Sequence, residues 1–254
     1  MTRIALFVPA FNEEAGIART ANVMLEALRE DVVQSAYVLD GGSTDNTADV
    51  AKNCGVEVLD IPSFLPELGP VLGKGDSLFR ATRCIDADWY VFLDADLGNI
   101  SLQHVEALVE PIGTPGVKFV KGGFVRVDEQ GKPREIPAGR VTELVGRPLL
   151  RRAALPLASL RQPLSGQVAI EGALAHQLSF VTGYGVEIAM LIDVFRAVSE
   201  SGVVEADMGM INNRWKPDDA LDDVKDQVLA GASLRVATLP DYGIVTHEMV
   251  TNRD

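Results

Sequence analysis

Histidine and cysteine are scarce in this chain, with three and two among 254 residues, and basic residues are outnumbered by acidic ones, 23 against 36. The resulting net charge of −13 argues against partners that reward a basic surface, namely nucleic acid and anionic membranes. Any phosphate it binds must be held by a few local cations, backbone amides or a metal. Cys54 and Cys84 share no CxxC spacing and have no nearby histidine, so a zinc site lacks support and buried, reduced thiols are expected. The longest apolar stretch, Val186 to Phe195, is interrupted by Glu187 and Asp193 and falls short of a membrane span. A strand pattern begins almost at Met1 and leaves no room for a signal segment, so a soluble, cytoplasmic protein is expected. Repeats and low-complexity tracts are also missing. One domain with two lobes follows, residues 1–124 and 125–254, with the border near Phe124 a division of labour and not a linker.

What is present is an alternation of strand and helix patterns through the first half. Strands are predicted at Ile4–Val8, Ala36–Leu39, Val56–Leu59 and from Trp89, with helices over Glu14–Leu28, after Ser43 or Thr44 as cap, and over Lys74–Cys84. This rhythm implies an α/β fold with a mostly parallel sheet flanked by helices. The second half departs from it: a long strand over Val117–Val127, a helix from Val141, an apolar helix over Gly185–Ser199, a strand at Val203–Asp207 and a last amphipathic helix.

Parallel sheets bind ligands beyond the carboxyl ends of their strands. Three loops belong there: Pro9-Ala10-Phe11-Asn12-Glu13-Glu14, Asp40-Gly41-Gly42-Ser43-Thr44-Asp45 and Asp94-Ala95-Asp96. Asp94 and Asp96 follow an apolar strand two residues apart, a spacing that points both carboxylates to one side, where a divalent cation on a diphosphate would relieve their repulsion. Alone, such a pair also reads as an ordinary solvated turn. Gly73-Lys74-Gly75-Asp76 lacks the full phosphate-loop pattern, yet a lysine at a helix start can neutralise a diphosphate.

Taken together, the three loops resemble the nucleotide-sugar signatures of glycosyltransferases with the GT-A fold, a Rossmann-like architecture. Leu65-Pro66-Glu67-Leu68-Gly69-Pro70 leading into Gly73-Lys74-Gly75-Asp76, Gly139-Arg140-Val141-Thr142-Glu143-Leu144 with Arg147-Pro148-Leu149-Leu150, and Gly183-Tyr184-Gly185-Val186-Glu187 resemble glucosyl-3-phosphoglycerate synthases more specifically. The resemblance implies a retaining transfer of glucose from UDP-glucose to a small anionic acceptor such as 3-phosphoglycerate, with Mg²⁺ or Mn²⁺, by a homodimer. It assigns Pro9, Ala10, Asn12, Glu13, Asp40, Gly41, Asp94 and Ala95 to the nucleotide, Lys74 to the diphosphate, and Asp96 to the metal with Asp94 on the ribose or metal side. Gly139, Arg140, Val141, Thr142 and Tyr184 fall to the acceptor and sugar, and Glu187 to the sugar pocket, with Asp96, Glu187 and Lys74 as the catalytic group. The apolar helix from Gly185 is expected to contribute to the dimer interface.

Three departures from the family pattern stand out. Asn213 occupies the place of a metal histidine, Trp215 that of an asparagine near the acceptor, and Gln167 that of a glutamate. An amide oxygen suits Mg²⁺ better than Mn²⁺, and His247 in the C-terminal tail is a second candidate ligand. Rival readings are an inverting relative, a nucleotidyltransferase on a similar sheet, and a nucleotide-sugar-binding protein without catalysis.

Overall fold

Short β-branched and aromatic runs bounded by turn residues form β1 (Ile4–Ala10), β2 (Ser35–Asp40), β3 (Glu57–Asp60) and β4 (Trp89–Phe92) in the computed structural model. The structure describes residues 2–136, 138–153, 155–198, 200–213, 222–235 and 248–249. These four strands pair in parallel, in the order β3-β2-β1-β4. Parallel neighbours need crossovers, which α1 (Ile17–Arg29), α2 (Thr47–Cys54) and α3 (Lys74–Cys84) supply. After α4 (Leu102–Val109) the chain extends the same sheet with β5 (Phe119–Val127), β6 (Val168–Glu171) and β8 (Val203–Asn212). β6 inserts between β4 and β5, antiparallel to both, and β8 closes the row parallel to β5. The remaining elements are α5 (Arg147–Arg152), α6 (Gly172–Ala175), α7 (Val186–Val198), α8 (Asp222–Ser233) and a small antiparallel pair, β7 (Phe180–Val181) with β9 (Glu248–Met249).

Both faces of the sheet are covered, so β1 is apolar at every position. Leu6 and Val8 pack under α1 and α4, while Phe7 points the other way into a layer with Tyr90 and Phe92, ring centroids 5.5 and 6.1 Å away. α7 packs into that second layer. Its Val186, Ile188, Ala189, Leu191, Ile192 and Val194 are buried within the chain's own core. That packing accounts for the helix's apolar character. Among the described residues no helix is long and apolar enough to cross a membrane.

Two expectations are corrected. Cys54 is half-buried and Cys84 exposed, both as free thiols, because each ends a helix at its rim. Ser43 and Thr44 do not cap α2, which begins three residues later at Thr47. The border expected at residue 124 falls inside β5, in a sheet that draws strands from both sides of it.

The Pro- and Gly-rich segment before α3 is held by one buried cation. Arg80 donates to the carbonyls of Phe64 and Gly69 at 2.8 Å each, and its Nε meets Asp76 Oδ1 at 2.8 Å with both side chains fully buried. Asp76 in turn accepts from the Leu72 amide at 2.8 Å. Removing one member of a buried pair strands the other charge, at a cost of about 3–5 kcal/mol. Arg80→Ala should lose stability of that order in urea titrations, whereas an exposed-pair variant such as Arg3→Ala should lose far less.

Candidate functional site

The loops after β1, β2 and β4 meet the second half of the chain around a cleft of about 830 Å³ at the carboxyl edge of the parallel strands. Asn12, at a φ of 55°, joins the first two loops. Its Oδ1 accepts from the Thr44 amide at 2.8 Å, its own amide donates to Ser43 Oγ at 3.0 Å, and Glu13 N donates to Thr47 Oγ1 at 2.7 Å. Asp40 accepts from the Ser43 amide at 3.3 Å. The polar groups of Ser43 and Thr44 thus tie loop to loop, which explains why they are not helix caps. Pro9, Ala10, Glu13 and Gly41 line the cleft, together with the exposed ring of Phe11. Asn12 and Asp40 shape the loops beside the cleft through the hydrogen bonds just described.

Asp94 and Asp96 lie in the turn after β4, where strand alternation no longer sets their directions. Asp94 is gripped from two sides, by Lys74 Nζ on Oδ1 and by Gln167 Nε2 on Oδ2 at 2.8 Å. Lys74, the first residue of α3, also donates to Glu187 Oε1 at 2.7 Å, near the start of α7. Burial opposes the ammonium charge, but Asp94 and Glu187 outweigh it and hold Lys74 well above the ordinary lysine range. Burial likewise works against the Asp94 carboxylate, and Lys74 and Gln167 overcome it and hold its pKa below the usual value. A Cβ on Gly166 would lie 2.2 Å from Lys74 Nζ and 2.3 Å from Asp94 Oδ1, so the pair closes only over a glycine.

Asp96 and Ala95 line the same cleft, as does Asn213. Asn213 is fixed by a bridge to Leu97 and by Arg134, whose guanidinium donates to its carbonyl at 3.0 Å. Its Oδ1 is buried and has no hydrogen-bond partner among the described residues. Among those residues no cluster of three His, Cys, Asp or Glu side chains is placed to hold a metal. A carboxylate and an orphaned amide oxygen in one cleft nevertheless form a hard oxygen donor set that fits Mg²⁺ or Mn²⁺. His247 and Trp215 lie outside the described residues.

Gly139, Arg140, Val141, Thr142, Tyr184 and Glu187 line the same cleft. Gly139 adopts a φ of +89°, which turns the chain into a helical run that passes through a π-helical segment, Thr142–Gly146, before α5. Glu143 pairs with Arg147 at 2.9 Å. Arg126 and Arg134 also line the cleft, and neither was legible in the sequence: one ends a strand and the other follows a polar turn. His104 joins Ser101 in capping α4, and His176 bonds Tyr90 and the Thr82 carbonyl, so neither serves the cleft.

Beneath the site, Lys121 on β5 is buried with its Nζ 2.6 Å from the Ser165 carbonyl. Burial, more than the neighbouring charges, pushes its pKa down to about 7. The unfolded chain, with an ordinary value of 10.5, then holds more protons between about pH 7 and 10.5, so this group makes stability rise with pH across that window. Lys121→Met should lack that rise. Relative to the variant, the wild-type unfolding constant should fall by up to about tenfold per pH unit in urea titrations from about pH 7 to 9.5.

The sequence profile of glycosyl transferase family 2 matches residues 5–157. The glucosyl-3-phosphoglycerate synthase of Mycobacterium tuberculosis is 36% identical over 246 residues, covering 95% of this chain and 75% of that protein. The enzyme of the same name from Petrotoga mobilis is 34% identical over 210 residues, covering 81% and 65%. A crystal structure of the M. tuberculosis synthase with Mn²⁺, UDP and glucosyl-3-phosphoglycerate superposes with a TM-score of 0.86 at 34% identity, over 98% of this chain and 87% of that one. Another, with Mn²⁺, UDP-glucose and glycerol 3-phosphate, gives the same score, identity and coverage.

Proposed function

The chain belongs to glycosyl transferase family 2 and, within it, to the glucosyl-3-phosphoglycerate synthases, and from that premise we propose that it moves glucose from UDP-glucose to a small phosphorylated acid such as 3-phosphoglycerate. The observation that carries this reading is that Lys74, Asp96, Glu187, Arg140 and Thr142 line one cleft, so that a donor and an anionic acceptor can meet. Residues 1–124 supply the nucleotide side, through Pro9, Ala10, Glu13, Gly41 and Ala95, and residues 125–254 supply the acceptor side. Asp96 and Asn213 would hold Mg²⁺ or Mn²⁺, which when bound supplies charge to offset the departing diphosphate. Lys74 offers that diphosphate a point charge, and Asp94 and Glu187 keep the ammonium protonated and aimed until substrate arrives. Glu187 and Tyr184 line the sugar pocket, and the guanidinium of Arg140 with the Thr142 hydroxyl suits an oxyanion. Retention at the anomeric carbon, a homodimeric enzyme and a cytoplasmic reaction belong to the same proposal, and their support is the family.

Asp96→Asn should abolish UDP release from UDP-glucose plus 3-phosphoglycerate while leaving the unfolding transition unchanged, and chelation should do the same to the wild type. Turnover retained in either case would remove the metal assignment. Asn213→His should tighten Mn²⁺ binding in a metal titration, since imidazole is the better donor for that ion. Arg140→Ala should lower kcat/KM for the acceptor by about ten- to a hundredfold, the loss of a charge-assisted hydrogen bond, with UDP-glucose affinity retained. A loss of donor affinity instead would reassign this wall of the cleft.

A further inference from the structure

Lys121 is a buried cation to which the reading above gives no part. It stands on β5 and is 1% exposed. An ammonium carries three N–H donors, and among the described residues one of them is met, by the Ser165 carbonyl at 2.6 Å. Its neighbour Lys74 behaves differently, because two carboxylates hold it directly. Lys121 forms no ion pair among the described residues. A buried charge of this kind is costly, and its retention is explained where a further polar partner stands within reach.

That partner lies across a small cavity. About 10 Å³ of space adjoins Lys121 and Ser165, and Lys74, Gly166 and Glu187 line both this cavity and the main cleft. The space is that of one water, which needs about two to four polar partners when buried, and these side chains supply them. Glu187 gives its Oε1 to Lys74 at 2.7 Å, while its Oε2 makes no hydrogen bond among the described residues. Burial bears on Lys121 most. Of the charges that face it, Glu187 on α7, Asp94 after β4 and Glu205 on β8 favour the ammonium, and Lys74 on α3 opposes it. Lys74, Asp94 and Glu187 by themselves carry one net negative charge, where an anionic diphosphate has to be received. A protonated Lys121 makes the group neutral.

We propose that Lys121 is a positioning residue for the transfer: through one water in the cavity its ammonium engages the Glu187 carboxylate, divides that carboxylate between two cations, and so frees Lys74 for the diphosphate of the donor. This inference rests on the reading of the cleft as a glucosyl-transfer site. Its test is the pH dependence of kcat/KM for UDP-glucose, read as UDP release at saturating 3-phosphoglycerate and Mg²⁺ between about pH 6 and 9. In the wild type this value should fall about tenfold as the pH rises through about 7, where Lys121 loses its proton. Lys121→Met should be about tenfold lower than the wild type at pH 6 and show no fall, and Lys121→Arg, charged throughout, should keep the higher value to pH 9. The acceptor KM should be unchanged in both. A lysine kept for packing alone would leave the wild-type profile in Lys121→Met or lower it by one factor at every pH, and either result overturns the proposal. Calorimetry of UDP-glucose binding, in buffers of different ionisation enthalpy, gives a second readout. At about pH 8 the wild type should take up protons on binding, and neither variant should. Binding by the wild type without uptake overturns the proposal even if neither variant folds. A wild type that binds UDP-glucose with proton uptake but transfers nothing would instead overturn the functional reading, so the two failures are separate.

Discussion

The cleft depends on one buried cation placed between two carboxylates. Lys74 belongs to α3, Asp94 to the loop after β4, and Glu187 to α7, so a single ammonium fixes three elements from both halves of the chain. Charges removed from water are stabilising only where geometry and hydrogen bonding offset the lost hydration. That condition is met by close packing: Gly166 leaves room for the ion pair, and Gly75 lets α3 approach β7 where a Cβ would lie 1.8 Å from the Val181 carbonyl. The chemistry of the site and the packing of its walls therefore share the same few residues.

This arrangement also resolves the apparent conflict between a chain of net charge −13 and anionic ligands. Lys74, Arg126, Arg134 and Arg140 all line the cleft, where reduced hydration makes each worth more than on the surface. Acidic residues among them hold cations in place, as Asp94 does for Lys74. The overall charge reports on solubility and on large polyanions, and says little about a cavity whose charges are chosen one by one.

Local signals were read well where one segment carries the whole instruction. Gly73 before a run of helix-forming residues set the limits of α3 at Lys74–Cys84, and the apolar runs of β1, β2 and β4 were found within two residues of their ends. The loops after β1, β2 and β4 and the Gly139–Thr142 turn, which line the cleft, are legible for the same reason, since each lies on one short segment. Asp94 and Asp96 were placed in the cleft, but their directions were not legible, because β4 stops at Phe92 and the partner that claims Asp94 lies twenty residues earlier. Arg126 and Gln167 reach the site through the pairing of β5 with β6, and Asn12 is tied by hydrogen bonds to a loop about thirty residues away. Such long-range pairings leave no periodic trace in either segment.

The place of β6 in the sheet has a consequence for synthesis. β1 to β4 are contiguous in the chain, and their parallel ladder can assemble as soon as residue 92 has emerged. The far edge of β4, Trp-Tyr-Val-Phe, then has no neighbour until residues 168–171 arrive to pair with it. An apolar strand with open backbone donors and acceptors invites pairing with other chains. The nascent protein must therefore carry an adhesive edge through the making of about seventy-five residues.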